Sequence, residues 1–577
     1  MIQALKEIGH DFANSFWRHY IIWAFVLTAA VIGLNMELFW LYRHDFFYTD
    51  TDCWMRAMRI TDWLQNFQWS EKIFPWTNPP HGFVLHWTRA CDVIWALLCL
   101  PFLPFLPLKE AVFYGGMLFS PLFLALSTIS VAWGIKPYIA DKEHQKTIFA
   151  GAVLLVLFYL NKIDDIFDFH RPDHHSLMCF VFCFNIAAVL RSHFTAKHAE
   201  ILSAGIITGL GMWASSTVEG FFVAGLVLIT LVADWIFYNR SAKPMLYYTA
   251  GFFGSTFFAW LINPPFGGWG VVDINRLSSV HVVLTFMMFI SFAVINSVNL
   301  TGKLKKISLL SLCAVLSAGV LPLVFGLDKI LVPVYHPLVW QYFVPRIGEM
   351  SKLTFSAGSF TAYSLIFGGL LLALLAYFQG KKESPVFYLT VFFCGTVMAC
   401  LFLAHRFYPY YLSVFVFIIA LILNRLLLKA ETKVLYKWLS LIYIACPILY
   451  LATFSKISAD SIFPPVEGVV LSDLFKTPEL LFRQGVDGIG SPYHTNVEGI
   501  VANHTMWFTT DEKELKSLLK QYNVRTLYLP YQSFSNFYIN PYYNLDKLYG
   551  KVMTGEEIYP WMDKIGESHY VVNYDKF

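Results

Sequence analysis

Charge is what this sequence has least of. Only 14% of its 577 residues are Asp, Glu, Lys or Arg, against 57% hydrophobic, and mean hydropathy is +0.53. A soluble globule carries about 25% charged residues, so a string of soluble domains is excluded, and so is a disordered chain. The net charge of +3 comes from dispersed basic residues, which points away from nucleic acid or any other polyanion. Cysteine is sparse too: there are nine, without C-x-x-C spacing and with none after Cys446. That excludes a disulfide scaffold, and Cys53 and Cys91, which have the right setting for a bridge, read better as two buried thiols. No A-x-A site follows the charged residues Lys6, Glu7, Asp11 and Arg18, so the first apolar run is expected to be a start-transfer helix. A Gly-rich nucleotide loop and long internal repeats are also missing.

What the chain has instead is long apolar runs. A membrane crossing takes about 20 apolar residues, and thirteen such stretches occur, from 20–41 to 438–454. The apolar stretch 91–107 is broken by Pro101, Pro104 and Pro107, and is expected to lie in the membrane face. Lysine and arginine then fall in alternate loops, as at Lys136, Lys142 and Lys146 or Lys303, Lys305 and Lys306. The positive-inside rule makes these loops and the N-terminus cytoplasmic. Loops 42–110, 161–176 and 327–358 and the region 455–577 therefore share the external side. The expected fold is mostly α: a transmembrane domain of about thirteen helices over 1–454, then a small external α/β domain over 455–577. In that domain Thr509 to Glu512 reads as a capping box for a helix through Gln521, with a strand from Val524 to Leu529. The expected location is the cell (inner) membrane, with the C-terminal domain external or periplasmic.

The external loops carry the chemistry. Asp50 and Asp52 open the first, which also holds His86; Asp173, His174 and His175 close the second. Carboxylates and imidazoles from separate loops can converge on one divalent ion, Mn²⁺, Mg²⁺ or Zn²⁺. The plainer alternative is that the aspartates solvate a loop end and the histidines sit at the interface. Asp173 and His175 are expected to point one way, with the intervening His174 pointing away. Glu349 lies in the third external loop, and Arg406 at the outer mouth between two spans. Arg406 can snorkel to headgroups or grip a lipid-linked phosphate through its planar fork. Glu219, near the outer end of another span, is costly to bury without a partner.

Taken together, these positions resemble the catalytic subunit of oligosaccharyltransferase, in the GT-C class of membrane glycosyltransferases, over most of the chain. By that resemblance Asp52 is the first-loop catalytic aspartate, beside Asp50. Asp173 and His175 are similar to the D-x-D/E or D-x-H element, in a form most like archaeal members, and His86 sits where such members supply a further metal-binding histidine. Arg346-Ile347-Gly348-Glu349 loosely matches the S-V-x-E motif, and His405 to Leu412 resembles the R-F-x-x-Y region, whose arginine meets the lipid phosphate. The family's W-W-D element, which reads the Ser/Thr of an acceptor sequon, is absent. In its place stands Ser491-Pro492-Tyr493-His494-Thr495-Asn496.

The resemblance implies transfer of a sugar or oligosaccharide from a polyprenyl-(pyro)phosphate donor to a lipid, glycan or protein acceptor at the external face. A divalent ion on Asp52, His86, Asp173 and His175 would assist, Arg406 would hold the donor phosphate, and Asp50 or Glu349 would orient or deprotonate the acceptor. Two alternatives stand beside it. One is a GT-C enzyme adding a single sugar from a polyprenyl monophosphate. The other is a transporter or flippase of lipid-linked glycans, which should place polar residues at mid-membrane and show repeated halves.

Overall fold

The computed structural model describes residues 2–43, 47–70, 73–139, 166–195, 197–215, 217–327, 336–344, 347, 384–429, 464–529, 546–556 and 558–577, with positions 146, 149–151, 153–154, 157, 368–370 and 373 besides. A first long helix, α1 (Ile2–Arg43), is kinked at His19. The polar helix α2 (Thr51–Asn66) follows, and then the short pair α3 (Ala90–Cys99) and α4 (Leu108–Gly116). The apolar series comprises α5 (Phe119–Ile135), α6 (His174–Thr195), α7 (His198–Ala214), α8 (Thr217–Phe237), α9 (Lys243–Ile262), α10 (Ser279–Ser297), α11 (Lys303–Phe325), α12 (Ser384–Phe402) and α13 (Tyr408–Lys429). Among the described residues seven helical segments are long and apolar enough to cross a membrane. The chain is an integral membrane protein.

Most expected spans meet a helix within a few residues. The expected span 111–134 is divided: a turn at Met117 and Leu118 separates α4 from α5. The stretch 91–107 is a ten-residue helix followed by turns at its prolines, too short to cross. Of the expected spans near 147–160 and 359–378 only scattered positions are described, and the one near 438–454 lies outside the described residues. Small residues set the helix spacing. Gly205 on α7 and Gly251 on α9 each abut backbone of the other helix, where a Cβ would collide.

The C-terminal domain carries β1 (Val469–Leu471), α14 (Thr477–Gln484), β2 (Asp487–Gly488), α15 (Val497–Phe508), α16 (Glu512–Gln521), β3 (Val524–Tyr528), α17 (Leu548–Thr554), β4 (Met562–Gly566) and β5 (His569–Val572). The sheet runs β2-β1-β3-β5-β4. Strands β1, β2 and β3 are parallel, and β5 is antiparallel to both β3 and β4. The expected helix and strand are α16 and β3, but the cap is two positions from expectation. Asp511, not Thr509, accepts from the backbone of Lys513 and Glu514, while the Thr509 hydroxyl donates to Glu514 at 2.6 Å. A carboxylate meets the unpaired N–H groups and the helix dipole more strongly than a hydroxyl does.

Contacts at two edges help hold this domain on the membrane part. At the β2 edge the first external loop adds its own backbone: Asn78 N–H donates to Gly488 O, and Gly488 N–H to Trp76 O, both at 2.8 Å. From the third loop, Val339, Tyr342 and Phe343 enter the domain's own apolar core.

Candidate functional site

Helix α2 begins where the first loop leaves α1. Asp50 is its cap, accepting from Asp52 N–H at 3.0 Å, and its carboxylate also pairs with Arg171 at 3.2 Å. Both roles are structural, and Asp50 is not among the residues lining the nearby cavity. Asp52 does face that cavity, of about 510 Å³, and its Oδ1 accepts a hydrogen bond of 3.0 Å from the Tyr493 phenol of the C-terminal domain. Burial, reinforced by the Asp52 carboxylate, pushes the Tyr493 phenol well above its ordinary pKa, so it stays a donor. The loop carrying Tyr493 is fixed by Asn496, whose amide donates to Ser491 Oγ at 2.9 Å and to Thr77 O at 3.4 Å.

Opposite Asp52 stands the N-terminal end of α6. Asp173 Oδ1 accepts from His174 N–H at 2.6 Å, and His174 Nδ1 lies 2.5 Å from the same oxygen. His175 Nε2 lies 3.6 Å from Asp173 Oδ2. The two imidazoles overlap, with ring centroids 4.2 Å apart. His174 therefore does not point away from its neighbours, as an extended backbone would have required. The helix has already begun there, and carboxylates on both sides draw the rings together. Burial alone would push the Asp173 carboxyl up, but the two histidines and Arg171 outweigh it and hold the group well below the usual carboxylate range.

The second carboxylate is Glu219, in the first turn of α8. It meets His175 Nδ1 at 3.5 Å, His174 Nε2 at 3.9 Å, and Arg406 Nη2 at 2.9 Å. Arg406 belongs to the short turn His405–Phe407 that leads into α13, and it lines the cavity with His174, His175 and Asp52.

His86 lines the cavity from the first loop, its ring 4.5 Å from that of His494. Burial, then the neighbouring His494 and His174, hold its pKa well below the ordinary histidine value, leaving a neutral imidazole with a lone pair to offer. Its Nδ1 is buried without a hydrogen-bond partner among the described residues. Glu349 and Arg346 lie outside the described residues.

The donor set suits a divalent cation. Asp173, His174 and His175 each offer one ligand atom, and these atoms all lie within 4.8 Å of one another in a buried setting. Mixed oxygen and imidazole nitrogen is the chemistry of Mn²⁺ and Zn²⁺ sites. Asp52 and His86 face the same cavity but are not part of that cluster. The sequence names Asp52, His86, Asp173, His175 and Arg406 as candidates and sets His174 aside. It leaves Glu219 without a role and assigns none to Tyr493 or His494. An ionisable residue inside an apolar span was the available signal for Glu219.

No protein-family model matches the chain, and no curated protein matches it in sequence. Solved structures do match it in fold. The archaeal oligosaccharyltransferase AglB from Archaeoglobus fulgidus, in complex with an inhibitory peptide and a dolichol-phosphate, superposes with a TM-score of 0.64 and 16% identity, over 89% of this chain and 70% of that one. The Archaeoglobus fulgidus oligosaccharyltransferase in complex with Zn and sulfate gives 0.61 and 15%, over 88% and 67%. The same enzyme tethered to an acceptor peptide containing the NVT sequon gives 0.61 and 15%, over 89% and 69%. The chain thus has the GT-C fold of oligosaccharyltransferase catalytic subunits, as its sequence resemblance implied.

Proposed function

We propose that this chain is a membrane glycosyltransferase that moves a sugar or oligosaccharide from a polyprenyl-(pyro)phosphate donor to an acceptor at the external membrane face, assisted by a divalent metal. The observation that carries this is one cavity faced by a carboxylate, Asp52, two histidines of a metal-type cluster, His174 and His175, and a guanidinium, Arg406. The dolichol-phosphate and the Zn and sulfate bound to the Archaeoglobus protein support the donor class and the cation. The thirteen-span topology, with cytoplasmic N-terminus and external C-terminal domain, belongs to the same reading. The polar residues collect at the N-terminal ends of α6, α8 and α13, where a transporter would place them at mid-membrane.

The residues divide the work as follows. Asp173, His174 and His175, with Asp52 and His86 facing them, would hold the cation, which when bound supplies a Lewis acid for the phosphate leaving group. Arg406 clamps that phosphate with charge-assisted hydrogen bonds. Asp52, oriented by the Tyr493 phenol, receives the acceptor's proton, with Glu349 as a further candidate for orienting the acceptor. Pro492, Tyr493 and His494 line the cavity from the C-terminal domain, where the family's acceptor-reading element is missing. The acceptor is therefore left as a lipid, a glycan or a protein.

Deleting the gene and comparing glycoconjugates by mass spectrometry tests the reading. One class of sugar-bearing product is expected to disappear, to return with the wild-type gene, and to stay absent with Asp52→Ala. Restoration by Asp52→Ala would sink it, as would a lipid-linked glycan stranded on the cytoplasmic leaflet. Arg406→Lys keeps the charge but loses the planar fork. A lost hydrogen bond to a charged group costs about 1.5–3 kcal/mol, so the apparent affinity for the lipid donor should fall about tenfold or more, while the protein still inserts. An unchanged affinity would return Arg406 to a headgroup anchor.

A further inference from the structure

We infer that Glu219 is a positioning residue that orients His175 of the cluster and ties it to the phosphate-binding arginine. This rests on the metal-assisted reading above and extends it. Glu219 is 0% exposed and sits at the start of an apolar helix, where an unpartnered carboxylate would be expensive. Its partners explain its presence. Arg406 Nη2 lies 2.9 Å from one oxygen and the Ser215 hydroxyl donates to the other at 2.5 Å. The remaining approach to each oxygen is filled by an imidazole.

The two rings are arranged in opposite senses. His175 turns Nε2 to Asp173, at 3.6 Å, and Nδ1 to Glu219, at 3.5 Å. His174 turns Nδ1 to Asp173, at 2.5 Å, and Nε2 to Glu219, at 3.9 Å. A neutral imidazole has one N–H and one lone pair. His175 can hold its Nδ1–H toward Glu219, which leaves its Nε2 lone pair on the Asp173 side, where a shared cation would lie; His174, hydrogen-bonded to Asp173 through Nδ1 and with Nε2 beyond hydrogen-bond reach of Glu219, feels Glu219 through its charge alone. A carboxylate behind a ligating histidine fixes its tautomer and ring orientation and raises its basicity, and losing such a partner typically weakens metal binding by about 10–100-fold. Because the same carboxylate holds Arg406, the phosphate clamp and the cation cluster share one anion. Phosphate drawing on Arg406 leaves more of the Glu219 charge to the histidines, so the two sites are linked, and the linkage is reciprocal.

The test is a Mn²⁺ titration of the full chain in lipid nanodiscs, without sugar donor, with free Mn²⁺ read by EPR. Glu219→Gln keeps size and a hydrogen-bonding oxygen but removes the charge. It should bind Mn²⁺ about 10–100-fold more weakly than wild type, and Glu219→Asp, which restores the charge, should recover part of that loss. Adding undecaprenyl phosphate should tighten Mn²⁺ binding in wild type and much less in Glu219→Gln. Equal Mn²⁺ affinity in wild type and Glu219→Gln overturns the inference and leaves the metal reading standing, provided Asp173→Asn abolishes binding. Absence of Mn²⁺ binding in wild type, with Zn²⁺ equally inert, removes the metal reading itself. Should Glu219→Gln fail to insert, Glu219→Asp carries the test, because moving the carboxylate back by one methylene must weaken Mn²⁺ binding. An affinity there equal to wild type overturns the inference as well.

Discussion

Replacing His174 with alanine is expected to cost as much divalent-cation binding as replacing His175. Spacing alone argues the reverse, since alternate residues of an extended chain share a face and the middle one turns away. Here the backbone is already helical, and His174 lies closer to Asp173 than His175 does, at 2.5 Å against 3.6 Å. Both rings are held between the same two carboxylates, so either deletion opens the cluster. Each single alanine should weaken Mn²⁺ or Zn²⁺ binding by at least the roughly 10–100-fold that loss of an outer-shell partner typically costs. The losses should not add. Once one ligand has gone the ion no longer reports on the others, so Asp173→Ala with His175→Ala should be little worse than Asp173→Ala alone. Transfer to the acceptor should fall in parallel and be partly recovered by excess metal in the weaker binders. Metal affinity close to wild type in His174→Ala, beside a clear loss in His175→Ala, would remove His174 from the cluster. A chelator-insensitive enzyme would remove the metal role altogether, leave Asp52 as a candidate base, and favour the single-sugar transferase.

What the sequence could show follows from the range of the interactions. Helices such as α6, α8 and α10 were legible because a membrane demands an unbroken apolar run, and that constraint is local. Asp52, Asp173 and Arg406 were legible because a charge at the edge of such a run is conspicuous. The pairing of Glu219 with Arg406 spans 187 positions, and that of Tyr493 with Asp52 spans 441. Nothing in the spacing of either residue announces its partner. The break between α4 and α5 was hidden for another reason: apolarity is continuous across Met117 and Leu118, and hydropathy does not register a turn. The sequence put Asp52 first, with Asp50 beside it as a further candidate, and the start of α2 separates them by making Asp50 a cap and turning Asp52 to the cavity.

Asp92 shows the same limit, and carries the largest expected effect on stability. In sequence Arg56, Arg59, Arg89 and Asp92 look like scattered loop charges. Folded, Asp92 is 0% exposed and meets all three guanidiniums: Arg56 Nη1 at 3.5 Å, Arg59 Nε at 3.0 Å and Arg89 Nη1 at 3.1 Å. Neutral groups also meet these guanidiniums. Arg59 donates to Trp87 O at 2.7 Å, Arg89 donates to Trp69 O and Gln68 O at 3.1 and 3.2 Å, and Arg56 lies 4.3 Å over the Trp87 ring. Asp92→Asn keeps the shape and removes a buried negative charge that all three arginines meet. Breaking a buried pair from one side costs about 3–5 kcal/mol, because the remaining charge stays buried. The variant should therefore unfold at a markedly lower temperature in detergent. It should also lose activity, since Arg56 and Arg59 lie on α2, the helix that presents Asp52. A second substitution separates the causes. Adding Arg89→Met removes one of the stranded cations and should recover part of the lost stability, whereas a defect of packing alone would worsen. An unchanged melting temperature in Asp92→Asn, or a further drop in the double variant, would show that the arginines are balanced by something other than Asp92.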